Sequence, residues 1–104
     1  MSSLVTLQST VRLSPHQVSC DLNGEAAILG LKTGTYYGLD PVGATIWKLI
    51  EQPRTIESIR DAMLENYDVD ADRCQNDLLE LLGKLNREGL IEITDLEWAS
   101  GHVA

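Results

Sequence analysis

The 104-residue sequence has few basic side chains, no phenylalanine and only two cysteines. Its 8 Lys and Arg residues stand against 16 Asp and Glu, which gives a formal net charge of -8. Most affinity for nucleic acid comes from Lys and Arg clusters that neutralise phosphates, so this balance disfavours general DNA or RNA binding. Cys20 and Cys74 have no Cys or His neighbour at zinc-site spacing, and we expect two reduced thiols without a metal.

Targeting and membrane segments are also missing from the sequence. No apolar run approaches the roughly 20 residues that span a bilayer. The first residues, Met1-Ser2-Ser3-Leu4, lack the basic start and apolar block of a secretory signal. We therefore expect a cytoplasmic protein, and the length fits a single domain with little room for a deep catalytic cavity.

The patterns that carry catalysis or cofactor binding are absent as well. His16 and His102 fall in predicted coil, and the sequence pattern places no Ser or Cys nucleophile beside either of them. Asp68, Asp70 and Asp72 alternate like the opening of a calcium loop, but the central Gly and the closing Glu are missing. The glycines do not form either phosphate-binding motif, Gly-x-Gly-x-x-Gly or a loop that ends in Gly-Lys-Ser/Thr. The sequence predicts no enzyme, no catalytic residue, no metal and no cofactor.

Three short stretches in the first half have strand character. They cover residues 18–22, 26–31 and 35–39, and turn residues separate them. Asn23-Gly24 is a strong two-residue hairpin signal because both positions tolerate positive φ, and Lys32-Thr33-Gly34 supplies a second turn. We expect a three-stranded antiparallel meander. Residues 1–16 are assigned to an N-terminal arm, either an irregular strand or a loosely docked segment.

The second half of the chain reads as three helices followed by a short strand. Asp40-Pro41 is a helix start, and the first helix is expected to run to about Glu51. Thr55 caps a second helix that ends near Tyr67. Asp70 or Asp72 caps a third, which Gly89 closes before a strand over residues 90–94. The predicted class is α+β, a three-stranded sheet followed by a three-helix winged helix-turn-helix unit, with the domain spanning residues 17–94 and a tail over 95–104.

Two features of this predicted fold are suited to binding. The third strand directly precedes the helices, so it can be the last of its sheet with one edge unpaired, and an unpaired edge can receive a peptide. Tyr36 and Tyr37 point to opposite faces of that strand, so one is expected to pack inward. The apolar face of the third helix is wider than a core seam needs. Its surplus, Cys74, Leu78 and Leu81, is predicted to line a groove beside the strand.

The order of these segments resembles the PqqD-like family, the precursor-peptide recognition elements of pathways that make ribosomal, post-translationally modified peptides. The resemblance covers about residues 17–94 and rests on three stretches: Gly-Thr-Tyr-Tyr-Gly-Leu-Asp-Pro-Val-Gly-Ala-Thr-Ile-Trp from Gly34, Arg-Thr-Ile-Glu-Ser-Ile from Arg54, and Leu-Leu-Gly-Lys-Leu-Asn-Arg-Glu-Gly-Leu-Ile from Leu81. The pattern is distributed and contains no catalytic signature.

The resemblance implies a function in peptide recognition. Such proteins bind the leader segment of a precursor peptide as an added strand and present the rest of the peptide to a separate enzyme. The peptide-binding residues expected here are Thr35, Tyr36, Tyr37, Gly38, Arg73, Cys74, Asp77, Leu78, Leu81 and Lys84. Within the family the chain looks most like the free-standing leader-binding proteins of lasso-peptide pathways, whose partner is a leader protease of transglutaminase-like fold. The alternative within the family is the pyrroloquinoline quinone peptide chaperone, which serves a radical SAM enzyme.

Two readings from other classes stay open at this point. A helix-turn-helix over residues 55–88 suggests a winged-helix DNA-binding regulator, but its third helix mixes acidic with basic residues and would repel phosphate as much as attract it. An unpaired edge strand is also compatible with a domain-swapped dimer rather than a monomer.

Overall fold

The computed structural model describes residues 6–94, which form two antiparallel three-stranded sheets and three helices. The elements in chain order are β1 (Thr10–Leu13), β2 (Gln17–Leu22), β3 (Glu25–Gly30), β4 (Tyr36–Leu39), α1 (Pro41–Leu49), β5 (Arg54–Thr55), α2 (Ile56–Asn66), α3 (Ala71–Arg87) and β6 (Ile91–Thr94). The predicted α+β class is confirmed. The predicted tail, residues 95–104, lies outside the described residues.

The first of the two sheets is the meander that the turn residues predict, with strand order β2-β3-β4. Asn23 and Gly24 connect β2 to β3 with φ angles of 61° and 96°, the positive values that a tight hairpin turn requires. The Asp21 carboxylate accepts a hydrogen bond from the Gly24 backbone N–H at 3.3 Å. Local turn chemistry therefore accounts for the first hairpin.

The second sheet joins segments that are distant in the sequence, in the order β5-β1-β6. Thr10 pairs with Thr94 and Leu13 with Ile91, while the Arg12 guanidinium lies 2.8 Å from the Glu92 carboxylate. Val11, in the central strand, is fully buried. Residues 10–13 belong to the segment that the sequence assigned to an arm, and the structure places them in the middle of a sheet.

Each helix begins at a side chain that satisfies its first free N–H groups. The Asp40 carboxylate accepts from Gly43 N at 2.8 Å, and the Thr55 hydroxyl accepts from Ser58 N at 3.1 Å. Asp70, not Asp72, caps α3. Gly89 follows α3 with φ 74°, as expected for a glycine that ends a helix.

One hydrophobic core connects the two sheets and the helices. Its buried members include Ile28 from β3, Ile46 and Trp47 from α1, Ile59 from α2, and Leu78, Leu82 and Leu85 from α3. The strand that follows α3 pairs with β1, at the other end of the described chain. The helix order agrees with the predicted winged helix-turn-helix unit, whose detailed arrangement stays a prediction.

Candidate functional site

The β4 strand is one of the two edge strands of the meander sheet, and β2 is the other. The β4 strand pairs with β3 from Tyr36 to Leu39, and within residues 6–94 no strand lies on its other side. The sequence placed this strand last in its sheet, and the structure does the same. Its backbone N–H and C=O groups on the open side are available to another chain.

A cavity of about 630 Å³ lies beside this edge, between β4 and α3. We call it the β4–α3 groove. Its lining comes from β4, the start of α1, α2, the α2–α3 connector and one face of α3, namely Tyr37, Gly38, Leu39, Asp40, Val42, Gly43, Ile46, Met63, Tyr67, Val69, Arg73, Cys74, Asp77, Leu78, Leu81 and Lys84. Most of these side chains are apolar. The groove therefore offers hydrophobic contact next to an open row of backbone hydrogen-bonding groups.

The two tyrosines of β4 have different environments, as the alternation of side chains along a strand requires. Tyr36 is 73% exposed and does not line the groove. Tyr37 is half-buried, packs against the core and lines the groove. Thr35 precedes β4 and lies outside the lining, so Tyr37 and Gly38 are the members of the predicted strand set that the groove contains.

The predicted wall of α3 lines the groove along its whole length, from Arg73 to Lys84. Eleven residues of rise make this wall about 16 Å long. Leu78, however, is 1% exposed and belongs to the core, whereas Cys74 and Leu81 are half-buried. Leu78 is therefore a core residue as well as a groove residue, and it is not part of a surplus on the helix face.

The lining residues outside the predicted set come from the end of β4, from α1 and its cap, from α2 and from the α2–α3 connector. Tyr67 is the clearest, because its hydroxyl lies 3.1 Å from the Thr45 hydroxyl. The Thr45 hydroxyl donates to the Pro41 carbonyl at 3.0 Å, so the Tyr67 hydroxyl is the donor in their shared bond. This bond holds Tyr67 as a wall of the groove. In the sequence, this part of the groove is indicated by Val69, an apolar residue between Asp68 and Asp70 in the connector.

Apart from Asp40, which caps α1, the charged groups of the groove lie on its α3 wall. Arg73 and Asp77 form an exposed ion pair of 3.9 Å. Lys84 has Glu80 and Glu88 at helical ion-pair spacing, yet among the described residues it makes no salt bridge with either. Its ammonium group is therefore available to an anionic group in the groove.

The thiol of Cys74 adds to the neutral part of the lining. Burial raises its pKa above the ordinary value of 9.0, the Asp77 carboxylate raises it further, and the Arg60 guanidinium opposes both. A raised pKa keeps the thiol protonated at neutral pH, where it acts as a small apolar group. No cluster of three His, Cys, Asp or Glu side chains suited to a metal occurs in the part of the chain that the structure describes.

The structure is that of a small α+β protein with an open sheet edge beside an apolar groove, a geometry suited to an extended peptide. The chain belongs to the PqqD family, because the family model described as "Coenzyme PQQ synthesis protein D (PqqD)" matches residues 25–91. The predicted family resemblance is confirmed.

Two solved structures resemble this fold. One, "TbiB1 in Complex with the TbiA(beta) Leader Peptide", is 40% identical with a TM-score of 0.74, over 78% of this chain and 94% of that chain. The other, "Lasso peptide synthetase B1 complexed with the leader peptide", is 18% identical with a TM-score of 0.70, over 79% and 96%, and it supports the fold alone. No curated protein matches the chain. None of the helices over residues 6–94 has the length and apolar character of a membrane span.

Proposed function

We propose that this chain binds the leader segment of a ribosomally made precursor peptide as a strand added to β4, with leader side chains in the β4–α3 groove. The observation that carries this proposal is the unpaired β4 edge lying directly beside the apolar groove. The 40% identical relative was solved with a leader peptide bound, which supports the same activity here.

The proposed binding has two physical components. Main-chain hydrogen bonds to β4 hold the leader in register and depend little on its sequence. Because strand side chains alternate, every second leader residue faces the groove and contacts residues such as Tyr37, Leu81 and Cys74. The hydrogen bonds supply the geometry of binding, and the groove supplies its selectivity.

The lining indicates which leader residues are selected. Val42, Ile46 and Met63 favour aliphatic or aromatic anchors, whose burial offsets the entropy lost when a disordered leader becomes a strand. Lys84 favours an acidic leader residue near the C-terminal end of α3. A leader with two or three apolar anchors at alternate positions and a nearby carboxylate is the expected ligand.

The chain itself is proposed to recognise the peptide, while a separate enzyme processes it. Its partner in this proposal is a leader protease of transglutaminase-like fold from a lasso-peptide pathway, as the family resemblance implies. The 40% identical relative, which was solved with a leader peptide, supports a partner that acts on a leader-bearing peptide. The alternative within the family is a peptide chaperone for a radical SAM enzyme. The acidic groups Asp72, Asp77 and Glu80 on α3 disfavour the DNA-binding alternative, because they would face phosphate together with the basic groups.

Fluorescence anisotropy with labelled peptides tests the proposal. The probes are the leader of the precursor encoded beside this chain, a pyrroloquinoline quinone precursor peptide and a labelled DNA duplex. We expect saturable binding to the first leader alone, lost when its apolar anchors become alanine. Binding to the duplex alone would contradict the proposal, and preference for the second peptide would favour the radical SAM alternative.

A modified leader separates strand addition from simple apolar contact. N-methylation at alternate residues removes backbone N–H donors but leaves every side chain in place. We expect the methylation pattern that faces β4 to weaken binding by about tenfold or more, since each lost hydrogen bond costs about 1 kcal/mol. The opposite pattern, shifted by one residue, is the control and should bind nearly as well as the unmodified leader. Equal affinity for both patterns would exclude an added strand.

A further inference from the structure

Helix α1 borders two separate cavities with two of its faces. Val42, Gly43 and Ile46 line the β4–α3 groove. Thr45 lies outside that lining, in a depression of about 130 Å³ that it shares with Trp47 and the β2–β3 hairpin. A peptide in the groove is therefore not in contact with the Thr45 side chain.

Thr45 is nevertheless bonded to a residue that lines the groove. The Tyr67 hydroxyl donates to the Thr45 hydroxyl at 3.1 Å, and the Thr45 hydroxyl donates to the Pro41 carbonyl at 3.0 Å. The order of donors is fixed because a carbonyl oxygen has no proton to give. Two hydrogen bonds in series thus connect a wall of the groove to the first turn of α1.

The backbone around Tyr67 does little to orient its side chain. Tyr67 follows the last residue of α2 with φ -131° and ψ 143°, so it has already left the helix. The next residues, Asp68 and Val69, are exposed. The Tyr67 ring packs against the core and also lines the groove. The bond to Thr45 therefore fixes the far end of this side chain at the groove.

A wall that is held in place affects which side chains a groove accepts. In a rigid apolar pocket, one methylene more or less changes affinity by about tenfold to two-hundredfold. A wall that can move repacks around side chains of several sizes and discriminates less between them. Loss of the Thr45 hydroxyl should therefore change the selectivity of the groove as well as its affinity.

We propose that Thr45 is a positioning residue that sets the size selectivity of the β4–α3 groove, because it holds the Tyr67 ring against one apolar anchor of the leader. This inference rests on the proposed function, since it concerns side chains that a bound leader places in the groove. The leader feature that it selects is an apolar side chain of one size beside Tyr67.

The experiment measures leader selectivity in variants of this hydrogen-bonded pair. Thr45→Val has nearly the same shape and lacks the hydroxyl, whereas Thr45→Ser keeps the hydroxyl and tests rescue. Tyr67→Phe removes the other partner of the bond and keeps the ring. The control is Ser19→Ala, which removes a hydroxyl bonded to Trp47 of α1 at 3.1 Å, outside the groove lining.

The probes are the labelled leader of the precursor encoded beside this chain and a set of its variants. In each variant one apolar anchor is replaced by alanine or by tryptophan, and fluorescence anisotropy gives the affinity of every pair. Urea unfolding of each chain, without leader, measures stability separately. The ratio of affinities for the original leader and a tryptophan variant is the measure of size selectivity.

We expect Thr45→Val to weaken binding of the original leader by about threefold to fivefold, as the loss of one hydrogen bond implies. At one anchor, the selectivity ratio should also fall by about threefold or more. Thr45→Ser should restore both quantities to within about twofold, and Ser19→Ala should change neither. Tyr67→Phe should reproduce the effect of Thr45→Val, and the double variant should add nothing, because both changes remove the same bond.

An unchanged selectivity ratio at every anchor would overturn the proposal and leave Thr45 with a role in stability alone. Additive losses in the double variant would also overturn it, since the two hydroxyls would then act independently. If Thr45→Val does not fold, Tyr67→Phe decides the question by the same ratio. Failure of the wild-type chain to bind any leader would instead overturn the proposed function.

Discussion

The two sheets of this protein are built from the same kind of short antiparallel strand, but they have different environments. The central strand of the β5-β1-β6 sheet buries Val11 completely, and this sheet joins the two ends of the described chain. The β2-β3-β4 sheet leaves β4 unpaired on one side and exposes Val18, Leu22 and Tyr36 on its outer face. Both sheets contribute to the core, but only the meander sheet presents the edge that we propose for binding. Stability and recognition therefore overlap where core residues also line the groove, at Leu39, Ile46, Met63 and Leu78.

Leu78 is the most deeply buried of these shared residues, and Leu78→Asp should have the largest effect. The side chain is 1% exposed and contributes to both the core and the groove. Burying an unpaired carboxylate there should cost about 4 kcal/mol or more, enough to unfold a domain of this size. Circular dichroism during urea titration measures the loss. A folded variant that merely binds leader weakly would show that Leu78 belongs to the groove alone.

A matched pair of valines compares the two sheets directly. Val11→Ala should lower the free energy of unfolding by about 2 kcal/mol, because it removes buried methyl groups from the central strand. Val18→Ala, on the exposed face of the other sheet, should change it by no more than about 0.5 kcal/mol. Thermal and urea unfolding of both variants gives the comparison. Equal losses would mean that the outer face also stabilises the domain.

A matched pair of leucines separates groove from core on α3. Leu81 and Leu79 are both half-buried and pack against the core, but only Leu81 lines the groove. We expect Leu81→Ala to weaken leader binding by about fivefold to tenfold, corresponding to about 1 kcal/mol of lost apolar contact. Leu79→Ala should lose similar stability and keep leader affinity. Equal leader affinities for the two variants would place the anchors elsewhere.

The smallest effect is expected from the thiol of Cys74. Because its pKa is raised above 9.0, the reactive thiolate forms at higher pH than in an ordinary cysteine. Alkylation by iodoacetamide, followed by mass spectrometry in a Cys20→Ser background, should be slow at pH 7 and rise only above pH 9. Bound leader should slow it further, since Cys74 lines the groove. Rapid alkylation at pH 7 that the leader does not alter would contradict this placement.

The raised pKa also has a consequence for stability. The folded state keeps the Cys74 proton to higher pH than the unfolded state does, so the contribution of this group to stability is complete below the unfolded pKa. It is lost as the pH rises through the folded value. Between pH 6 and 8 this thiol therefore leaves folding and leader binding unchanged.

Local chemistry in the sequence predicted the elements that local interactions determine. Asn23-Gly24, Asp40-Pro41 and Gly89 mark a hairpin, a helix start and a helix end, and the structure has each of them. The β1 strand was assigned to an arm because its partner, β6, lies about eighty residues away, as the Arg12–Glu92 pair shows. Four residues with a distant partner leave no short-range signal.

The groove was predictable along α3 and less so elsewhere. Helical spacing indicated the positions from Arg73 to Lys84, since one face of a helix follows directly from its period. Spacing could not indicate Met63 or Tyr67, which reach the groove only because α2 and the connector fold beside it. Nor could it show that Leu78 is fully buried, because burial depends on the elements packed against the helix.

The pairing of Thr10 with Thr94 brings the two ends of the described chain side by side, on the sheet that is not proposed for binding. A unit with adjacent ends can be spliced into a loop of a larger protein with little disturbance to either. Such a module could be fused to an enzyme through one end or both, and the groove would stay open. For an engineer, this geometry makes the domain a portable adaptor that can be grafted onto a chosen catalyst to direct it to tagged peptides.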